Sequence, residues 1–304
     1  MKEGSSVIVH LASGIGNIVL ATPLLALLRR NGLTVDLMLD ADYPGVDALF
    51  VGWDAIRSVY SGINSIVLKE YQYVMAAIPP FYWRRFRARY TGLQIYRPPD
   101  ALFYENERAY YLEFARELGC DVSCAPFYFV PRPPLARTKT IVLAPGSKPG
   151  EMARKRWPFF SALAEAFEDV ALVGTSDDIG KGAPTEAVKF PGHVQSFIGR
   201  LSLSDTARVL AGASAVVAND CGLGHLAGAL GLPTLLLFGP TPSTTLGPLP
   251  STVSILRTGL ACEPCWFRER FRACSNRVDC LQQLSVESVI AAVKALIDKT
   301  TDQT

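Results

Sequence analysis

Short apolar runs alternate with longer segments whose apolar residues recur every three to four positions, and this alternation occurs twice along the chain. In the first half, Val7–Leu11 predicts a strand that feeds the turn Ser13-Gly14-Ile15-Gly16-Asn17. A helix is expected over Ile18–Arg30, with Pro23 tolerated in its early turns and Asn31-Gly32 as its stop. Thr34–Leu39 predicts the next strand, ending at Asp40, and Ser65–Leu68 and Tyr73–Ala77 are further strands. Arg108–Leu118 reads as a helix stopped by Gly119.

Pro131-Arg132-Pro133-Pro134 interrupts this pattern with a stiff, extended segment that cannot join the centre of a sheet. The alternation then restarts. Strands are expected at Thr140–Leu143, Val170–Val173, Ala215–Ala218 and Thr234–Phe238. Helices are expected at Ser161–Phe167, Ser204–Ala211, Gly224–Leu230 and Val286–Lys299, the last with Ser285 as its N-cap. Strands joined by helical crossovers predict parallel sheets. The expected organisation is an α/β domain over residues 1–134, a second over 135–282, and a closing helix over 283–304 that packs back toward the first. Open α/β sheets bind ligands at the carboxyl ends of their strands, so two such halves predict a binding cleft between them.

Composition narrows the class. The 304 residues are 49% hydrophobic and 19% charged, enough to bury substantial cores. A net charge of +2 gives no general argument for nucleic acid. The N-terminal stretch MKEGSSVIVHLASG lacks the basic head, apolar core and cleavage site of a signal peptide, and no apolar run is long enough to span a bilayer. A cytoplasmic location is therefore expected, with the seven cysteines mainly reduced.

Several segments carry candidate chemistry. The stretch Ser214–Pro240 packs a strand, the turn Asn219-Asp220-Cys221-Gly222, a helix with His225 and another strand into fewer than thirty residues. A strand that ends in small residues and opens a helix aims backbone N–H groups at one point, which makes an anion site. Ala144-Pro145-Gly146-Ser147 is a second such turn, and Lys148, Arg154, Lys155 and Arg156 follow it, with Pro158 expected at the first position of the next helix. Asp177 and Asp178 end another strand and suit ribose hydroxyls or an ordinary helix start. In the first half, Gly14 and Gly16 allow close backbone approach to a ligand, but Val19 stands where a dinucleotide fingerprint needs glycine. Read as one helix, Phe81–Tyr90 mixes aromatics with Arg84, Arg85, Arg87 and Arg89, a surface suited to an anionic partner or to inward aromatic packing. Cys262, Cys265, Cys274 and Cys280 supply enough thiolates for a tetrahedral metal site, or form a set of buried thiols or disulfides.

Four of these segments occur in one order: HLASGIGNIVLATPLLALLR, VLAPGSKPGEMARKRWP, FIGRLSLSDTARVLAGASAVVANDCGLGHLAGALGLPTLLLFGPT, and CEPC…C…CL before the last helix. Together they resemble glycosyltransferase family 9, the ADP-heptose:lipopolysaccharide heptosyltransferases, and leave out mainly residues 45–130. The resemblance implies a GT-B fold of two facing Rossmann-like domains, the second holding the nucleotide sugar. It also implies inverting, single-displacement transfer that needs no catalytic cofactor. By position, Lys155 resembles the lysine on the donor phosphates, and Ser147, Asp220, Cys221, Gly222 and His225 the donor-binding turns. Asp178 or Asp177 resembles the acid near the ribose. Gly14, Gly16, Arg84 and Arg87 fall on the acceptor side. The implied partners are an ADP-sugar and an anionic saccharide or glycolipid, with peripheral contact at the inner face of the membrane and no nucleic acid. One protein-heptosylating branch of the family binds iron at its cysteine quartet, so the resemblance leaves structural zinc or iron as one of the two readings of the quartet here.

Two departures bear on catalysis. Members with demonstrated transfer carry aspartate where this chain has Asn17, and an amide is no general base. His10, Asp40 and Asp42 are the nearby alternatives. Cys221 stands where serine or threonine is common, which removes a strong hydroxyl donor. Two further readings follow: a nucleotide-sugar-binding protein without transfer, and a transferase of the same fold acting on a protein or small molecule. A nicotinamide-dependent oxidoreductase rests on the first glycine turn alone.

Overall fold

The computed structural model describes residues 4–62, 67–131, 135–178, 189–266, 274 and 279–301, with the backbone alone for residues 300 and 301. It divides into two compact units, Met1–Pro131 with Thr244–Leu249, and Arg132–Ser243 with Pro250–Thr304.

The first unit is built on four parallel strands, β1 (Ser6–Ser13), β2 (Thr34–Ala41), β3 (Ser58–Ser61) and β4 (Tyr73–Ala76), in the order β3-β2-β1-β4. β1 is buried almost throughout, as expected of a central parallel strand covered on both faces. The helix predicted as continuous from Ile18 is two, α1 (Ile15–Leu20) and α2 (Thr22–Arg30). The reason is chemical. Pro23 has no N–H for the Val19 carbonyl, and the Thr22 hydroxyl donates to that carbonyl instead, at 2.7 Å. The aromatic–arginine stretch is likewise not one helix: α3 (Pro80–Phe86) gives way to a 3-10 turn at Arg87–Tyr90. α4 (Asp100–Glu105) and α5 (Glu107–Glu117) follow, the latter capped by Asn106, whose side chain accepts from Ala109 N at 2.9 Å. Residues 65 and 66 of the expected Ser65–Leu68 strand lie outside the described residues, and Leu68–Glu70 is a 3-10 turn. Arg132, Pro133 and Pro134 of the predicted linker also lie outside them.

The second unit holds six parallel strands: β5 (Ile141–Ala144), β6 (Val170–Leu172), β7 (Gln195–Ser196), β8 (Ala215–Asn219), β9 (Thr234–Leu237) and β10 (Val253–Leu256). Their order is β10-β9-β8-β5-β6-β7. β3, β7 and β10 escape sequence prediction because each is short and lies at a sheet edge. α6 (Phe160–Ala164), α7 (Leu203–Ala211) and α8 (Gly222–Ala229) are the crossover helices, and Ser202 caps α7 by accepting from Asp205 N. Pro158 lies ahead of α6 rather than at its first position, because Phe159 is the N-cap. The last helix is Val286–Thr301, part of the second unit. It buries Val289, Val293 and Leu296 in the second unit's own core, beside Leu143, Val217 and Leu235. The indole of Trp157 fixes the approach to that helix by donating to the Leu284 carbonyl at 2.8 Å.

Candidate functional site

The strand order of the second unit reverses between β5 and β8, and open α/β sheets bind ligands at such a switch point. The turns leaving these two strands are Pro145-Gly146-Ser147 and Asp220-Cys221-Gly222. Asn219, fully buried at the end of β8, ties them together. Its amide donates to Pro145 O at 2.6 Å, and its Oδ1 accepts from Trp157 N at 2.8 Å. A lone polar residue inside an apolar strand was the sequence signal for this role, although the turn after it drew the attention.

Asp220 is the hub of the second turn. Its Oδ2 accepts from Lys155 Nζ at 2.8 Å and from Thr241 Oγ1 at 2.7 Å, while Oδ1 lies 2.9 Å from His225 Nε2. Burial by itself would raise the Asp220 carboxyl, but the Lys155 charge and the His225 and Lys155 hydrogen bonds outweigh it and hold it well below the usual carboxylate range. His225 is buried, and its Nδ1 has no hydrogen-bond partner among the described residues. Cys221 is the N-cap of α8, where the first amides of the helix lack partners within it. Burial pushes its thiol up to about 11, so it contributes no charge. Gly224 is required by packing: a Cβ there would sit 2.6 Å from Leu236 Cδ2 and 2.9 Å from Ala218 Cβ.

The first turn is organised by Arg156, one charge of the basic run that follows it in the sequence. Arg156 is buried, with its guanidinium donating to Ser147 O at 2.7 Å, to Ser147 Oγ at 3.2 Å and to Asp177 O at 3.0 Å. Ser147 Oγ in turn donates to Met152 O at 2.9 Å. Asp178 belongs to the same cluster. Its Oδ2 accepts from Thr175 N at 2.7 Å and Thr175 Oγ1 at 3.0 Å, and its Oδ1 faces Arg156 at 3.3 Å. A Cβ on Gly146 would meet Asp178 Cγ at 2.1 Å, so only glycine lets the two turns pass. The Asp178 carboxylate therefore organises the loop around it, and Asp177 is engaged there through its backbone.

In the first unit, strand order reverses between β1 and β4, and Gly14, Gly16 and Asn17 follow β1 at that edge. Ser13 Oγ donates to Asn17 Oδ1 at 2.7 Å, and Asn17 Nδ2 donates to Glu107 Oε1 at 2.7 Å. Glu107 is 7% exposed. Of the alternatives to Asn17, His10 is buried in β1 between Tyr90, which its Nδ1 meets, and Asp40, 2.9 Å from its Nε2. Burial lowers the His10 pKa. Asp40 also pairs with Arg89; burial would raise its carboxyl, but the His10 and Arg89 hydrogen bonds bring it down to about 2. Asp42 lies beside Gly14 and accepts from the Tyr82 hydroxyl. Arg84 and Arg87 are exposed on α3 and the turn after it, while Phe86 and Tyr90 face inward.

The four thiols of the cysteine quartet differ in exposure. Cys265 and Cys280 are buried whereas Cys262 is exposed. Burial, then Glu263 and the other three thiols, push Cys280 up to about 12. Among the described residues, however, no three His, Cys, Asp or Glu side chains are arranged to hold a metal ion. Nor is any helix among them long and apolar enough to cross a membrane.

Comparison with known proteins fits this geometry. The sequence model of glycosyltransferase family 9 (heptosyltransferase) matches residues 83–274. Lipopolysaccharide heptosyltransferase 1 of Pseudomonas aeruginosa is 53% identical over 66 residues, which are 22% of this chain and 19% of the relative. Alignments to the first curated relatives span 19% to 38% of those proteins' lengths. The fold is that of solved GT-B enzymes of the family. The glycosyl transferase family 9 structure from Veillonella parvula superposes with a TM-score of 0.74 at 16% identity, over 98% of this chain and 99% of that one. The E. coli heptosyltransferase WaaC with ADP-2-deoxy-2-fluoro heptose does so with a TM-score of 0.60 at 20% identity, over 95% and 99%. With a family match over well more than half its length, the chain belongs to glycosyltransferase family 9.

Proposed function

We propose that this protein transfers heptose, or a related sugar, from an ADP-linked donor to a hydroxyl of a lipopolysaccharide-core type glycan or glycolipid. The observation that carries this reading is the convergence of Lys155, Asp220, His225 and the first amides of α8 at the switch point of the second sheet. In a single displacement the sugar–phosphate bond breaks and negative charge grows on the departing diphosphate. Lys155 and the amides from Gly222 onward stabilise that charge more in the transition state than in the bound donor. Asp220 holds the Lys155 ammonium and the His225 ring in place. The displacement inverts the anomeric centre and calls for no metal or other cofactor in the reaction. Ser147 and Cys221 line the donor turns, and the Arg156–Asp178 pair keeps the first of them in shape.

Acceptor recognition falls to Gly14, Gly16 and the exposed Arg84 and Arg87, which suit an anionic saccharide or glycolipid head at the inner face of the membrane. Names of relatives support the donor and acceptor classes: lipopolysaccharide heptosyltransferases among the sequences, and an ADP-heptose analogue in the neighbouring structure. Calorimetry with ADP and ADP-heptose, followed by ADP release with candidate acceptors, tests the reading. Donor binding with release only in the presence of a heptose-accepting core glycan is the expected result. A second reading, nucleotide-sugar binding without transfer, is favoured by the amide of Asn17 and predicts binding with no release under any acceptor.

A further inference from the structure

Attack of a hydroxyl on an anomeric carbon is assisted by a group that takes its proton in the transition state, and that group must be titratable. At the carboxyl edge of the first sheet, Asn17 cannot do this. Its hydrogen bonds nonetheless point to what can. Asn17 Oδ1 is occupied by the Ser13 hydroxyl and one Nδ2 hydrogen by Glu107 Oε1, each at 2.7 Å, so the amide is fixed with its nitrogen toward a carboxylate. That leaves the second Nδ2 hydrogen of Asn17 uncommitted in this pair of bonds. Glu107 opens α5, where the positive helix end favours its ionised form, and 7% of its surface still reaches solvent. Tyr111, one turn further along α5, shares a hydrogen bond with it.

The other carboxylates near this edge bond groups other than Asn17. Asp40 is locked between His10 and Arg89, and at about 2 its carboxyl is too weak a base. Asp36 lies in the strand interior, bound by Arg57 and Tyr71. Asp42 accepts from Tyr82.

We infer that Glu107 is the general base of the transfer and that Asn17 orients the acceptor for it, an inference that rests on the transferase reading above. The second Nδ2 hydrogen of Asn17 donates to the acceptor oxygen, whose O–H faces the Glu107 carboxylate. As the acceptor oxygen's electron pair forms the bond to the anomeric carbon, its proton passes to Glu107. The anomeric carbon–oxygen bond breaks in the same step, its electron pair leaving on the diphosphate as ADP. Glu107 then returns the proton to water.

The test uses the full chain and four proteins: the parent, Glu107→Gln, Asn17→Asp, and the double variant Asn17→Asp/Glu107→Gln. ADP-heptose binding is measured on each by calorimetry, and ADP release is followed with a heptose-accepting core glycan and with water alone. Glu107→Gln keeps the shape and the Asn17 hydrogen bond. It is expected to lower kcat by about a hundredfold or more, with donor affinity and acceptor KM little changed. The double variant exchanges the amide and the carboxylate, and it is expected to recover to within about tenfold of the parent. Glu107→Gln with kcat within about threefold of the parent overturns the inference. So does a parent that binds donor but releases no ADP while Asn17→Asp does. Failure of all four proteins to bind ADP-heptose overturns the transferase reading itself.

Discussion

Lys155 Nζ lies 2.8 Å from Asp220 Oδ2, so the cation proposed for the donor phosphates is already paired with a buried carboxylate. Removing the lysine strands that carboxylate, and removing both charges does not. Lys155→Ala is expected to lower the stability of the second unit by about 3 kcal/mol and to weaken ADP binding about tenfold or more. Lys155→Ala/Asp220→Asn should regain most of the stability and none of the affinity. Thermal melts and calorimetry on the parent and these two variants check this, and a double variant no more stable than Lys155→Ala would contradict the pairing.

Asn219 replaces what would be a backbone-only link between the two donor turns. Asn219→Ala leaves Trp157 N and Pro145 O without their partner inside the core, at a cost of about 2–4 kcal/mol. Urea unfolding followed by tryptophan fluorescence measures it. ADP affinity should fall as well, because the first turn loses its anchor.

Gly224→Ala forces a methyl to within 2.6 Å of Leu236 and 2.9 Å of Ala218. Helix propensity by itself favours alanine by about 1 kcal/mol, but overpacking a core costs about 1–3 kcal/mol. The clash involves two sides of a tight β–α contact that cannot yield easily, so destabilisation should win. A higher melting temperature for Gly224→Ala would refute the packing account.

Acid should destabilise the first unit in two stages. His10 has a lowered pKa, so the unfolded chain binds its proton more readily, and stability declines as pH falls below about 6.5. Asp40 has its carboxyl lowered from 3.8 to about 2, so its contribution is fully present above about 4 and is lost as pH falls toward 2. The Asp40 stage is worth about 2 kcal/mol. Melting temperatures from pH 7 to pH 2 should show both declines, and Asp40→Asn should abolish the lower one.

Thiol chemistry should follow burial. Cys124 and Cys262 are exposed, whereas burial raises the thiols of Cys265 and Cys280, the latter to about 12. Under native conditions an aromatic disulfide reagent is expected to label Cys124 and Cys262 first and Cys280 last. Mass spectrometry after timed quenching reads the order.

By itself, the sequence determined the α/β class, the two-part organisation and the places where the chain turns to meet a ligand. Those features are local: apolar runs of strand length, helical spacing, and Gly-rich turns such as Gly14–Gly16 and Asp220–Gly222. The roles of Arg156 and Glu107 were not legible there. Arg156 reads as one more charge in a basic run, and its burial depends on carbonyls of Ser147 and Asp177 that only folding brings to it. Glu107 stands 90 positions from Asn17, and their hydrogen bond exists because α1 and α5 meet in space. The same holds for the last helix. Its apolar stripe announced that it packs, but which core receives Val289 and Val293 was decided by tertiary contact, because hydrophobic burial has no address of its own.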